Sequence, residues 1–237
     1  MTEDLPLCSS EKIIKALGRA GFKPARHPKR SHQAFVKETP TRKYITIVVL
    51  TLLSLTSNAQ DSSKEKFVRD LVEAAIERTK HEEEYDGSYR ILKYPGGDVP
   101  DSIGVCTDLI VRAYRAVGID LQKEVHEDMS QNFSEYPKGW GLTKPDRNID
   151  HRRVLNLKTF FHRKGKDLPV SNNPKDYFPG DLVTWNLPGN LPHIGIVTDR
   201  RSEDGKHPLI AHNIGRGPEL EDMLFKFTIT GHYRYPE

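Results

Sequence analysis

Apolar residues recur at helical spacing in two stretches of the first half of the chain. One stretch follows a Ser-x-x-Glu capping box at residues 62–65, and the two signals together predict a helix over residues 62–80. The other covers residues 106–117 and is followed by Gly118, the residue type that most often terminates a helix. The sequence therefore predicts two helices, each with one apolar side.

A third helical pattern, over residues 154–161, carries basic residues at its start. We expect Asp150 to be its N-cap and Gly165 to end it. Cations at a helix N-terminus oppose the helix dipole, so His151 and Arg152 need an explanation. Either they pair with nearby carboxylates, or they form a clamp for an anionic group of a substrate.

From residue 176 onward the pattern changes to short apolar runs separated by turn residues. Pro-Gly, Pro-Gly-Asn and Asp-Gly mark the turns, and β-branched residues are frequent between them. The predicted strands are residues 182–185, 193–198, 209–214 and 228–235. Helices followed by an antiparallel meander predict an α+β fold.

A cysteine stands at the predicted start of the second helix. Cys106 follows a glycine-bearing loop, and unpaired N–H groups together with the positive end of the helix dipole favour thiolate over thiol at such a position. This environment suits a nucleophile. The alternative is an ordinary buried cysteine, because free cysteine is among the most buried residue types.

Two histidines lie where neighbouring strands would bring them together. His193 opens one predicted strand and His212 ends the next, so a hairpin places their side chains within reach of each other. With Cys106 they supply a nucleophile, a general base and a group that orients the base. Asn213 is the alternative orienting group, although strand alternation sends it to the opposite face. Trp140, in a Pro-Lys-Gly-Trp-Gly loop, is either a packing lid over the core or a wall of the substrate site.

The same three residues, Cys106, His193 and His212, could instead form a zinc site with an open position. A catalytic zinc usually comes with a tighter ligand cluster such as His-Glu-x-x-His, which this sequence lacks. We therefore expect no metal and no cofactor.

Four segments, in the correct order, resemble motifs of the NlpC-type cysteine peptidases of bacterial cell-wall metabolism, in a divergent branch of unknown function. Val-Cys-Thr-Asp at 105–108 stands where that family has Asp-Cys-Ser-Gly. Pro-Gly-Asp-Leu-Val at 179–183, Pro-His-Ile-Gly-Ile at 192–196 and Ile-Ala-His at 210–212 match its Pro-Gly-Asp-Leu, His-Val-Gly-Ile and Ile-His-Ala. The resemblance implies a papain-like α+β core, with the cysteine at a helix start packed on an antiparallel sheet.

By this resemblance Cys106 is the nucleophile, His193 the general base and His212 the orienting residue. The backbone N–H of Cys106 would hold the oxyanion that forms when a carbonyl is attacked. Tyr94 would occupy the position of a tyrosine that the family has ahead of its cysteine. The candidate substrate-binding residues are Trp140, His151 and Arg152.

The resemblance implies a cysteine peptidase or amidase that cleaves amide bonds in peptidoglycan peptides, and we expect a monomer. A non-catalytic wall-binding module on the same fold and a related thiol acyltransferase are the alternatives. Fast alkylation of Cys106 below neutral pH would separate a catalytic thiol from a non-catalytic one.

Composition is that of a globular protein, with 36% hydrophobic and 29% charged residues among 237. The net charge of +3 is unevenly distributed. Residues 1–43 contain ten Lys or Arg and four Asp or Glu, which leaves the rest of the chain at −3. Nothing in this balance indicates a nucleic-acid partner for the main domain.

Residues 44–59 have the features of a signal peptide. An apolar run follows a basic Thr-Arg-Lys, and Ser-Asn-Ala at 57–59 offers the small residues that a signal peptidase requires. The run is short for a membrane span, and a buried β-strand is the alternative. We expect export to the periplasm or beyond, no stable membrane span and a mature domain over residues 60–237. Cys106 would then be the one cysteine left in an oxidising compartment, which marks it as a reactive thiol.

Residues 8–49 resemble the front of a HicA-type toxin, a small RNA-cleaving domain. Residues 9–17 would form its first helix, and His32 lies at the family's Gly-Ser-His position. A start at Val36 would give the signal peptide an ordinary length. Residues 1–43 are therefore expected to be a gene-fusion scar or the result of a misplaced start, with RNA targeting as the alternative.

Overall fold

The computed structural model describes residues 45–236, together with residues 15, 18–19, 23–24 and 35–36, and its continuous record of side chains begins at residue 62. The chain divides into two compact units, residues 1–63 and 64–237. In the first unit, Lys23–Pro24 (β1) pairs antiparallel with Phe35–Val36 (β2). His32 and most of the helix expected over residues 9–17 lie outside the described residues.

Residues 45–236 form four α-helices. They are α1 (Ile45–Arg78), α2 (Cys106–Ala116), α3 (Leu121–Gln131) and α4 (Val154–Lys164). The predicted start of α1 at the capping box was wrong, because the helix is already formed before Ser62 and extension of an existing helix is far easier than nucleation. The expected cleavage site after Ala59 falls inside α1. No helix in the described part of the chain combines the length and apolar character needed to cross a membrane.

The start of α4 also differs from the prediction. Asp150 is not its N-cap, because Asp150–Arg152 forms a separate 3₁₀ turn and the helix begins at Val154. The Asp150 carboxylate instead accepts a hydrogen bond from the N–H of Asp146 at 2.7 Å. Gly165 ends the helix as predicted. Further 3₁₀ turns are Phe133–Glu135, Gly139–Gly141 and Pro174–Asp176.

A six-stranded antiparallel sheet forms the second half of the domain. Its strands are β5 (Lys166–Asp167), β6 (Leu182–Leu187), β7 (Leu191–Arg201), β8 (Pro208–Asn213), β9 (Pro218–Glu221) and β10 (Thr228–Arg234). They pair in the order β5-β10-β6-β7-β8-β9. Two short strands, β3 (Glu84–Tyr85) and β4 (Ile103–Gly104), pair in parallel just before α2. The α+β class and all four predicted strands are confirmed, whereas β5 and β9 are too short and polar for the pattern to show.

The sheet separates two apolar clusters, and this separation positions the candidate site. On one face, Ile194 and Ile196 pack with residues of the helices, including Cys106. On the other face, Trp185 and Val197 pack with the loop after β9. Successive residues of β7 therefore face different layers of the domain.

Candidate functional site

The cysteine lies where the sequence predicts it, at the first residue of α2. Cys106 is a free cysteine and is 3% exposed. The residue before it, Val105, donates its N–H to the Asp108 carboxylate at 2.8 Å, which fixes the first turn of the helix. No acceptor for the N–H of Cys106 is found among the described residues, so this donor remains available.

A buried arginine holds the cysteine loop in place. Arg152, 6% exposed, donates from Nε and Nη2 to the two carboxylate oxygens of Asp108, at 2.9 Å each. Its remaining contacts are with the carbonyls of Asp86 and Ser88, at 2.9 and 3.0 Å. Arg152 is thus paired within the protein, with Asp108 rather than with the carboxylates near it in sequence, and its donors face protein acceptors.

His151, the other basic candidate, is also buried at 2% exposure. Burial, with help from the charge of Arg152, lowers the pKa of His151 to about 3. The imidazole is therefore neutral at physiological pH and offers no charge to an anionic substrate. Its Nδ1 has no hydrogen-bond partner within the described part of the chain.

The tyrosine beside the thiol is Tyr85, not Tyr94. Partial burial and then the Cys106 thiol raise the pKa of the Tyr85 hydroxyl, which hydrogen bonds to that thiol. Tyr94 packs elsewhere, with its ring centroid 5.3 Å from the ring of His126. Tyr85 reaches the site because β3 pairs with the strand before Cys106, and a parallel pairing of two residues leaves no signal in the sequence.

The thiol of Cys106 is protonated at neutral pH. Burial raises its pKa to about 12, and the nearby Asp108 carboxylate adds to the effect. The backbone N–H groups of Ile194 and Thr107 and the Tyr85 hydroxyl oppose this shift. The sequence-based prediction of a thiolate was therefore wrong, because the cost of burying the charge exceeds the stabilisation that the helix start provides.

The two histidines meet as predicted. Nε2 of His193 lies 3.1 Å from Nδ1 of His212, and the rings are nearly perpendicular at 87°. The two residues are 2% and 0% exposed. Burial, and then the proximity of His212, lower the pKa of His193 to about 3. Burial also lowers the pKa of His212, against the opposing effect of two glutamates.

The Cys106 thiol and the His193 imidazole lie on opposite faces of the sheet at β7. The thiol meets the backbone N–H of Ile194, whose side chain packs on the helical face of the sheet. His193 is paired in register with Trp185 on the opposite face, with ring centroids 6.0 Å apart. Among the described residues, the hydrogen bond of His193 runs to His212 and not to Cys106.

Two remaining candidates lie apart from the histidine pair. Asn213 is buried, and its Oδ1 accepts a hydrogen bond from the N–H of Gly215 at 3.2 Å. It shares a strand face with Ala211 of the helical-side cluster, as the alternation predicts. The ring of Trp140 is 55% exposed and lies 4.2 Å from the guanidinium of Arg153, so it does not cover the core.

The three candidate zinc ligands, Cys106, His193 and His212, are not arranged together as a metal site. Across the part of the chain that the structure describes, no group of three or more His, Cys, Asp or Glu residues is arranged to hold a metal ion.

The candidate site lies within the part of the chain that a protein-family model matches. A family model described as "Domain of unknown function (DUF1287)" matches residues 72–235, a range that contains Cys106, His193 and His212. The chain belongs to the DUF1287 family. A relative from Escherichia coli (strain K12), named "Uncharacterized protein YijF", is 56% identical over 151 residues, which cover 64% of this chain and 73% of that protein. No solved structure matches this DUF1287 chain.

Proposed function

We propose that this DUF1287 domain is a thiol hydrolase that cleaves amide bonds, with Cys106 as nucleophile, His193 as general base and His212 as orienting residue. The observation that carries the proposal is the buried hydrogen bond of 3.1 Å between His193 and His212. Ile194, the residue after His193 on β7, contacts the Cys106 thiol through its backbone N–H. A cysteine at a helix start, followed in the sequence by a histidine and then a polar residue on a sheet, is the layout of papain-like enzymes. The four sequence segments that resemble NlpC-type peptidases support the same papain-like core.

The proposed reaction has two steps. As the Cys106 sulfur attacks the amide carbon, its proton passes to Nδ1 of His193, and the Cys106 N–H holds the oxyanion. The C–N bond then breaks, and the leaving amine takes that proton from His193. Water then attacks the thioester, giving a proton to His193 and its hydroxyl to the acyl carbon. The C–S bond breaks, and the Cys106 sulfur takes that proton from His193, which restores the thiol.

The resting site holds a neutral thiol and a neutral imidazole, since the pKa of Cys106 is about 12 and that of His193 is about 3. Proton transfer at rest is therefore unfavourable. In the proposed mechanism the thiol gives up its proton only as the sulfur attacks the bound substrate.

Peptidoglycan peptides are the proposed substrate, and the protein is proposed to be exported. The NlpC-type resemblance supports the substrate class, and the signal-like segment at 44–59 supports the location. Tyr85, beside the thiol and 45% exposed, would line the approach of the peptide.

Digestion of purified peptidoglycan tests the proposal. The wild-type protein should release fragments with new amino and carboxyl termini, identified by mass, whereas Cys106→Ala and His193→Ala should release none. His162→Ala is the matched control, because this histidine side chain is 68% exposed and pairs with a surface aspartate. Fragment release by Cys106→Ala at the wild-type rate would reject the thiol mechanism.

The third residue is tested by comparing neighbours on β8. His212→Asn should keep partial activity, because an amide oxygen can accept the His193 N–H. His212→Ala should lose more activity, though less than Cys106→Ala, because the orienting member is the most dispensable of such a triad. Asn213→Ala should act only through packing. Collapse of kcat/KM in Asn213→Ala with a normal value in His212→Ala would reverse the assignment.

A non-catalytic wall-binding module is the second candidate, and the buried, protonated thiol favours it. In that case the protein would sediment with peptidoglycan and release no fragments. Binding would be unchanged in Cys106→Ala, whereas a hydrolase would show product only in the wild type.

A further inference from the structure

His212 has a second ring nitrogen that the proposed triad does not use. Its Nε2 is fully buried, lies 3.3 Å from Oε2 of Glu221, and finds no hydrogen bond of good geometry among the described residues. A buried nitrogen without a partner costs free energy, and the carboxylate within ion-pair distance is the group that can satisfy it.

Glu221 is held beside His212 by cations. Nη2 of Arg216 lies 3.2 Å from Oε1 of Glu221, and Nζ of Lys226 lies 3.9 Å from Oε2. The Glu221 side chain is 24% exposed, so it is partly shielded from water. These contacts hold the carboxylate beside His212 at the edge of β9.

The other glutamate of β9 faces a different partner. Glu219 is paired in register with His212, but its two carboxylate oxygens accept hydrogen bonds from Arg216 at 3.0 and 3.2 Å. Glu219 is therefore a natural control for Glu221, since both are carboxylates on the same strand and both contact Arg216.

We propose that Glu221 is a positioning residue that fixes the tautomers of His212 and His193. A carboxylate can only accept, so it requires a proton on Nε2 of His212. Nδ1 of His212 is then unprotonated and accepts from Nε2–H of His193. Nδ1 of His193 is left without a proton, which makes it the base for the thiol. The last step rests on the proposed function, whereas the tautomer assignment does not.

The proposed hydrogen-bonded series Glu221–His212–His193 would also stabilise charge during turnover. When His193 takes up a proton, the positive charge lies one imidazole away from Glu221 and is stabilised through the polarised His212 ring. The charged or titratable groups that face His212 are Glu219 and Glu221 on β9, Lys226 after it, and His193 on β7.

Nitrogen-15 NMR reads the tautomers directly. In long-range ¹H–¹⁵N spectra of the labelled protein at neutral pH, both rings should carry their proton on Nε2, with signals assigned by their loss in His193→Gln and His212→Asn. Glu221→Ala should convert His212 at least partly to the Nδ1–H tautomer and change the signals of His193. Glu221→Gln should keep the wild-type tautomers, since an amide oxygen still accepts. Glu219→Gln should change neither ring.

An Nδ1 proton on His212 in the wild type would overturn the proposal, as would unchanged tautomers in Glu221→Ala. On a muropeptide, Glu221→Ala should lower kcat by about tenfold with KM unchanged, and Glu221→Gln should restore part of the loss. Absence of turnover in the wild type would reject the proposed hydrolase and leave the NMR result to decide the role of Glu221.

Discussion

The two carboxylate oxygens of Asp108 accept hydrogen bonds from Arg152 across 44 residues of sequence, with both side chains almost completely buried. Through its contacts with the carbonyls of Asp86 and Ser88, Arg152 also holds the segment that follows Tyr85. One ion pair therefore joins the helix that carries the thiol to the strand that carries its tyrosine partner.

We expect Arg152→Met to destabilise the domain by about 3–5 kcal/mol, because it leaves Asp108 buried without its partner. Urea denaturation measures this free energy of unfolding. Arg90→Met is the matched control, since Arg90 is 42% exposed and forms a surface pair with Asp86. The control should cost less than about 1 kcal/mol. Equal losses in the two variants would show that the buried pair has no special role.

Much of the candidate site could be predicted because its parts are local. The start of α2 at Cys106 followed from periodicity and the glycine after the helix. The contact between His193 and His212 followed from two strands joined by a short turn. Hairpin pairing and strand alternation are properties of neighbouring residues, so a single sequence contains them.

The rest of the site depends on contacts between distant segments. Arg152 meets Asp108 only after the chain folds back, whereas its position before α4 indicated a pair with a nearby carboxylate or a clamp for a substrate. Tyr85 reaches the thiol through a parallel pairing of two residues, and Glu221 reaches His212 from a strand of four residues. The thiol pKa depends on burial, which outweighs the local helix effect that the sequence shows.

Alkylation of Cys106 should be slow at neutral pH. In a Cys8→Ser background, the iodoacetamide rate should rise about tenfold per pH unit between about pH 7 and 10, since the reactive thiolate increases with pH below a pKa of about 12. Tyr85→Phe should slow the reaction further, because the Tyr85 hydroxyl stabilises the thiolate.

Protein unfolded in urea is the control for this rate, and it should follow the ordinary cysteine pKa of about 8.5. A rate in the folded protein that levels off near neutral pH would contradict the protonated resting thiol. It would instead indicate the activated thiolate of a conventional cysteine peptidase.

Stability should fall on mild acidification. His151 and His193 are buried with pKa values of about 3, whereas unfolded histidines titrate near 6.5. Below about pH 6.5 the unfolded state binds more protons than the folded state, so each histidine lowers the free energy of unfolding by up to about 1.4 kcal/mol per pH unit. Urea midpoints between about pH 7 and 4.5 measure this slope above the range in which most carboxylates titrate.

The histidine origin of that slope is tested by substitution. His151→Gln should reduce the slope by up to about 1.4 kcal/mol per pH unit, because it removes one buried titrating group. His162→Gln, at a side chain that is 68% exposed, should leave the slope unchanged. A slope that is the same in all three proteins would mean that other groups cause the acid sensitivity.

Gly195 should be required for the position of His212 on the neighbouring strand. A Cβ at residue 195 would lie 2.6 Å from Cγ2 of Ile210 and 3.2 Å from Cβ of His212, as well as 3.1 Å from the carbonyl oxygen of Ala211. Gly195→Ala should therefore destabilise the domain by about 1–3 kcal/mol and displace His212 from His193, because β8 cannot yield without opening the sheet. Urea denaturation and the ¹⁵N signals of both histidines measure these effects. Gly139→Ala is the control, since no atom lies within 4 Å of a Cβ there. Equal stability and unchanged histidine signals in both variants would show that the absence of a side chain at residue 195 is not what allows the two rings to meet.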